Sequence, residues 1–163
     1  DIVEVFERRY GKLGGNVTYA LESVFLKAAA ADRKKQLYEF INDDINNGLK
    51  HKMPMPIGNC IGGGLHSKKI KGKRPDFQEF LLIPNEKKFS RAVTVNLRAY
   101  EYASKLLKKA HKKKIGKFGR LKRNDENAWM TPLSNEEVLD LLMIVIKKYN
   151  VRVSLDVASS TFF

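Results

Sequence analysis

Near the end of the chain Val151, Val153, Leu155 and Val157 alternate with Arg152, Ser154 and Asp156. That period of two predicts a strand with one apolar and one polar side. Just before it the spacing lengthens. Ser134 and Glu137 form a capping-box pattern, and the apolar run behind them predicts a helix over 135–149. From Phe89 to about Lys114 the residues Val93, Leu97, Tyr100, Ala103, Leu107 and Ala110 recur at helical intervals. They predict one long helix with that stripe buried. "DFQEFLLI" predicts a short strand ended by Pro84 and Asn85, apolar on both sides toward its end as in a fully buried sheet. "MPMPIGNCI" predicts an extended entry into another strand. "GGGLHSKKIKGKR" and "KKKIGKFGRLKRNDENAWMTP" read as loops. From Met53 onward the predicted order is therefore strand, strand, helix, helix, strand.

Before Met53 the pattern is helical. Residues 1–10 form a short charged amphipathic segment that "GKLGGN" breaks. Asn16 reads as the N-cap of a helix over 17–31 carrying Val17, Leu21, Val24, Phe25 and Ala28. A second helix places Leu37, Phe40, Ile41 and Ile45 on one face, and "NNGLKHK" ends it. The chain reads as α/β with an α-rich N-terminal part, divided into 1–50 and 51–163, without internal repeats.

Charge adds a second layer. The 163 residues hold 31 basic and 18 acidic side chains, a net charge of +13. Such a balance predicts attraction to polyanions: nucleic acid, anionic lipid or phosphorylated substrates. "SKKIKGKR" has five positive residues in eight, and Lys105 to Arg123 holds ten Lys or Arg and no acid. Lys68, Lys69, Lys71, Lys73, Arg74, Lys108, Lys109, Lys112, Lys113, Lys114, Lys117, Arg120, Lys122 and Arg123 are the candidate contacts to RNA or a ribonucleoprotein. The alternative for the same residues is a solvated face. No zinc knuckle, RNP-type pattern or helix-turn-helix signature accompanies them. Cys60 is the single cysteine, which excludes an internal disulfide framework or a cysteine-based zinc site and suits a cytoplasmic setting. The longest apolar run, "VLDLLMIVI", is broken by Asp140 and too short to span a bilayer, so no membrane partner is expected. The chain opens on Asp1 rather than Met and shows no signal-peptide form, in keeping with a processed or cut start.

"MPMPIGNCIGGGLHS", "PDFQEFLLIP" and "SLDVASSTFF" together resemble enolase, phosphopyruvate hydratase, in a partial or divergent, archaeal-like form. The strand–strand–helix–helix–strand order is similar to the start of the enolase barrel. "LGGN" and "LKAAAAD" resemble the last helices of the enolase N-terminal domain. The resemblance implies that 1–50 is a helical remnant of that domain and 51–163 the first ββααβ portion of an enolase-type (β/α) barrel. A barrel takes about 200 residues or more to close. Only 111 remain from Met53, so the barrel is expected to be incomplete. The implied parent reaction is Mg²⁺-dependent dehydration of 2-phosphoglycerate to phosphoenolpyruvate, in glycolysis and gluconeogenesis.

Four residues carry the chemistry. Glu79 lies among Phe77, Phe80 and Leu81, where apolar surroundings disfavour the ionised carboxylate and suit a general acid; the plainer alternative is a strand-end glutamate paired with a lysine. His66 follows a glycine run whose backbone amides can meet an anion; the alternative is an exposed loop histidine. Asp156 ends a strand opposite the valines, where a hard cation wants carboxylate oxygens; the alternative is a solvent-facing polar residue. By resemblance Glu79 matches a catalytic glutamate, His66 the mobile-loop histidine, and Asp156 the first of three carboxylates that hold Mg²⁺. "NDENAWMTP" resembles the enolase loop with an acidic pair, so Asp125 and Glu126 match that pair and Glu126 the second catalytic glutamate; the plainer alternative is a solvated loop carboxylate. Asn124, Asn127 and Ala128 stand where the family has glycines, and Thr161 where it usually has Glu.

The other metal carboxylates, the lysine that removes the α-proton and the arginine that holds the phosphate come later in an enolase. The chain alone is therefore expected to be inactive and to hold Mg²⁺ weakly. Expected partners are the two substrates where the site is complete, a complementing enolase chain or a homo-oligomer, and, on the alternative reading of a degenerate non-catalytic module, RNA or a ribonucleoprotein.

Overall fold

The computed structural model describes residues 2–70, 72–115 and 121–161. The chain divides into two compact units, 1–52 and 53–163.

The first unit is helical. Helix α1 spans Ile2–Tyr10 and α2 spans Gly15–Asp32. Gly14, not Asn16, occupies the N-cap of α2 and offers no side-chain cap. The Asn16 carboxamide instead accepts from the Val17 amide at 2.9 Å within the first turn. Helix α3 spans Leu37–Phe40 and widens directly into a π-turn over Ile41–Ile45. An extra residue per turn rotates the residues beyond it off the helical stripe. Phe40 is buried as expected, whereas Ile45 is 51% exposed. Arg33 and Lys35 pair with Asp44, and Lys35 also with Asp43, tying the end of α2 to that turn.

The second unit is an open mixed sheet with helices on one face. Its strands are β1 (Gly58–Gly62), β2 (Glu79–Pro84), β3 (Trp129–Met130) and β4 (Val151–Asp156). They lie in the order β3-β1-β2-β4. β2 is antiparallel to both β1 and β4, and β3 runs parallel to β1. The two-residue β3 lies inside a segment whose sequence reads as loop; two residues are too few to show a period. β2 is buried on alternate residues rather than on both sides, so Phe80 and Leu82 face the core and Glu79, Leu81 and Ile83 the other way. The expectation of a strand covered on both faces is corrected by that alternation.

Helix α4 (Phe89–Ile115) and α5 (Asn135–Tyr149) cover the face of Phe80 and Leu82. On α5, Val138, Leu142 and Val145 are fully buried. Ser134 caps α5 as its sequence predicts: its hydroxyl accepts from the Glu137 amide, and the Glu137 carboxylate accepts from the Ser134 amide at 2.9 Å. On α4 the buried line is Ala92, Ala99, Ala103 and Leu107, which lets the helix approach the sheet closely. Leu97, expected in the stripe, is 60% exposed. The long basic helix is turned so that its smallest residues meet the strands.

One irregularity decides which side chains reach the open face. Asn59 pairs with Leu81 and Ile61 with Phe80, so a bulge at Cys60 puts residues two apart on opposite faces of the sheet. Ile61 and Cys60 enter the core and Asn59 does not. Burial pushes the Cys60 thiol up to about 12, leaving it an inert core group.

The Ser134 cap is separable from all of this. Ser134→Ala should lower unfolding free energy by about 1 kcal/mol, read as a reduced urea midpoint with unchanged slope.

Candidate active site

The glycine run ends β1 and enters a 3₁₀ turn, Gly64–Ser67, within the segment expected to be loop. A Cβ on Gly63 would strike the backbone oxygens of Pro75 and Phe77, so only glycine lets the turn lie against that segment. The Ser67 hydroxyl, fully buried, donates to the Gly62 carbonyl at 2.8 Å and closes the turn. This fixes His66 at the same end of the sheet as the start of β2 and the end of β4.

There the acidic residues gather. Glu79 and Asp156 are direct cross-strand partners. The Asn59 side-chain amide donates to Glu79 Oε1 at 2.9 Å and to Glu126 Oε2 at 3.3 Å, bridging the two glutamates. His66 Nε2 lies 3.6 Å from Glu126 Oε1, and its Nδ1 donates to Asp125 Oδ1 at 3.0 Å. The structure thus brings His66, Glu79, Glu126 and Asp156 into one continuous cluster.

Their charges act on one another. Burial first, then the neighbouring Glu126 and Asp156 carboxylates, hold Glu79 above the usual glutamate range. The hydrogen bond to Asp125 first, then the Glu126 and Glu79 charges, raise His66 against a smaller opposing effect of burial. The same bond to His66 holds Asp125 down. An acid biased to keep its proton stands beside a second carboxyl group. This is the arrangement general acid catalysis requires.

The loop bearing Glu126 keeps its aim without glycines. Asn124 Oδ1 accepts from the amides of Glu126 at 3.0 Å and Ala128 at 2.9 Å. Asn127 takes a left-handed φ of +62°, which asparagine tolerates better than most residues. Tyr100 on α4 donates its hydroxyl to the Asn127 carbonyl at 2.5 Å and stacks on Trp129. A groove of about 340 Å³ opens alongside, lined by Ile57, Cys60, Val93, Leu97 and Tyr100 and bordered by Asn59 and Glu126. Neither Asn59 nor the Asn124 brace is singled out by sequence reasoning. A lone asparagine amid a strand's apolar residues, where it is disfavoured, is the signal that points to Asn59.

The metal expectation fares differently. Asp156 Oδ1 accepts from the Ala158 amide at 2.9 Å and its Oδ2 from Gln78 Nε2 at 3.4 Å. Among the described residues no three His, Cys, Asp or Glu side chains form a set able to hold a metal ion. A Mg²⁺ ion wants several oxygens at near-octahedral positions. The residues present do not fit one.

Most of the basic candidates are exposed. Lys68, Lys69, Lys73, Lys108, Lys109, Lys112, Lys122 and Arg123 are exposed and Arg74 is half-buried. Lys73 pairs with Glu137 at 3.2 Å, and the Arg123 guanidinium lies over Trp129. Lys71, Lys117 and Arg120, and the side chains of Lys113 and Lys114, lie outside the described residues.

A family model of the enolase C-terminal TIM barrel domain matches residues 50–163. The chain belongs to the enolase family. Relatives carrying the name enolase include those of Methanothermobacter thermautotrophicus (32% identity over 93% of this chain) and Anaplasma marginale (33% over 93%). The enolase of Pyrobaculum aerophilum is 31% identical over 96% of the chain. Each alignment covers only 34–36% of the relative, so the chain spans about a third of the length of the enolases it matches. Such coverage of this chain reaches well into the helices before residue 50. The four-stranded sheet is accordingly part of an enolase-type barrel that does not close within the described residues.

The His66–Asp125 bond gives a pH signature. A raised histidine contributes stability that is complete below its ordinary value near 6.5 and fades as pH climbs through the raised one. The lowered Asp125 contributes stability that fades as pH falls through its own folded-state value, below 3.8. Proton NMR titration should place the His66 midpoint above the ordinary histidine value near 6.5, and Asp125→Asn should move it down. A His66 midpoint unmoved by Asp125→Asn would contradict the bond.

Proposed function

We propose that this chain carries the acid-assisting part of an enolase site, the part that removes the hydroxyl of 2-phosphoglycerate. What supports the reading most is the carboxyl pair Glu79–Glu126 held by one Asn59 amide, with Glu79 biased to stay protonated. In this reading the protonated member gives its proton to the leaving hydroxyl as the C–O bond breaks, and water departs. Glu126 accepts and relays protons, and His66 covers the substrate from the glycine turn. The α-proton is taken by a lysine that this chain does not supply. Asp156 is the one family metal carboxylate present and does not make a Mg²⁺ site by itself. Residues 1–50 are read as the end of the enolase N-terminal domain, and the setting as cytoplasmic; among the described residues no helix is long and apolar enough to cross a membrane.

The test is a chimera in which this chain replaces its matching segment in the Methanothermobacter thermautotrophicus enolase. The chimera should form phosphoenolpyruvate, followed by its ultraviolet absorbance. Glu79→Gln within it should lower kcat by roughly 10²–10⁴-fold, the usual contribution of a general acid. The chain alone should give no turnover. Turnover by the isolated chain, or a Glu79→Gln chimera as fast as its parent, would refute the assignment.

A second reading rests on uncompensated charge. Lys68, Lys69, Lys108, Lys109, Lys112 and Lys122 are exposed, and none of them has an ion-pair partner among the described residues. On this reading the chain binds RNA through phosphate contacts, with or without catalysis. Single-stranded RNA binding should then weaken linearly in log–log plots against salt, with a slope of about −0.7 per phosphate neutralised. A flat plot, or no binding near 0.15 M salt, would remove it.

A further inference from the structure

Three segments of the site meet at Gly62. It is the last residue of β1, paired with Glu79 of β2 on one side and with Met130 of β3 on the other. Its carbonyl accepts the Ser67 hydroxyl that closes the turn of His66. Against its Cα lies the side chain of Asn124, from the loop that carries Glu126. Unlike Gly64, Gly62 has no left-handed φ, so its backbone would suit a residue with a side chain. The obstacle to one is Asn124. A Cβ at 62 would overlap Asn124 Nδ2 and crowd its Cγ at 3.3 Å and the Ala128 Cβ at 3.2 Å.

The carboxamide is not free to swing aside. Its Oδ1 holds the Glu126 amide at 3.0 Å and the Ala128 amide at 2.9 Å. The Asn124 backbone amide donates to the Ala128 carbonyl at 2.9 Å, which fixes the base of the loop as well. Asn124 Nδ2 is buried and has no hydrogen-bond partner among the described residues, so packing on Gly62 sets that end of the group.

We infer that Gly62 and Asn124 are a coupled pair of positioning residues for Glu126: the missing side chain at 62 makes the room in which the carboxamide at 124 holds the loop. The pairing rests on Glu126 acting in the site. Asn124 orders two amides of the loop, and the ordered loop brings Glu126 to the Asn59 amide and within 3.6 Å of His66 Nε2. A glycine at 124, as the family has, would leave the room over residue 62 empty. The carboxamide fills it and so restricts residue 62 to glycine. A methyl at 62 therefore acts on a carboxylate that it does not touch. If Gly62 served sheet packing alone, a change there would cost as much with Asn124 removed as with it present.

Amide hydrogen exchange on this chain, with circular dichroism to confirm folding, separates the two cases. The Glu126 and Ala128 amides should exchange at least tenfold faster in Asn124→Ala, which removes their acceptor, and in Gly62→Ala, which displaces it. The double variant G62A/N124A should exchange no faster than Asn124→Ala, because nothing is left for the methyl to displace. In the chimera with the Methanothermobacter thermautotrophicus enolase, each single change should lower kcat at least tenfold and move KM less than threefold. A parent chimera without turnover would sink the enolase reading, and the exchange pattern would still decide the pairing. Should Gly62→Ala fail to fold, the double variant should fold, since the overlap is gone. Unchanged exchange at Glu126 and Ala128 in Gly62→Ala, effects that add in the double variant, or a double variant that does not fold would each overturn the pairing.

Discussion

Two carboxyl groups a few ångströms apart in a half-buried place need a donor between them, and burial with the neighbouring charges biases Glu79 to keep its proton. Here the donor is one asparagine amide. Asn59 offers a hydrogen atom to each of Glu79 and Glu126, and His66 adds a counter-charge from the other side. Everything around the cluster serves that contact. The glycine turn holds the imidazole, the Asn124 brace aims Glu126, and the first residue of β2 presents Glu79. Because the three arrive from separate parts of the chain, the electrostatic pairing among them also holds their segments together at one end of the sheet.

The sheet itself divides its labour by face. α4 and α5 bury the side carrying Phe80 and Leu82, while Asn59, Glu79 and Asp156 stand on the side that the helices leave alone. In a closed barrel that second side is the interior, and its strand ends carry the chemistry. An open sheet of four strands exposes the same residues without the enclosure. On that side Asp156 accepts from the Gln78 amide and the Ala158 backbone N–H.

Much of this was legible in the residues, and the failures have causes. The capping box at Ser134 is legible to the residue and the period-two alternation of 151–157 to within one, since β4 ends at Asp156; both are local and backbone-driven. The stripe on α4 holds at Ala103 and Leu107 and fails at Leu97, where close packing on strands favours the neighbouring alanines, a tertiary demand that spacing does not reveal. Ile45 left its face because a π-turn is invisible to a 3.6-residue template. In the Glu126 loop Asn124 and Asn127 stand where the family has glycines. The structure shows side-chain bonds from Asn124 doing what glycine freedom does elsewhere, together with one left-handed asparagine. Asn59 escaped notice because its partners lie 20 and 67 residues away.

The extra residue at Cys60 makes β1 a ruler of fixed length. Upstream of it the strand counts in one parity and downstream in the other, so the "GNCIGG" segment tolerates neither a deletion nor an added residue. Shortening it by one would send the asparagine inward toward α4 and leave the paired acids to repel each other unmediated. In this chain a change of spacing in β1 is therefore more damaging than most changes of identity along it.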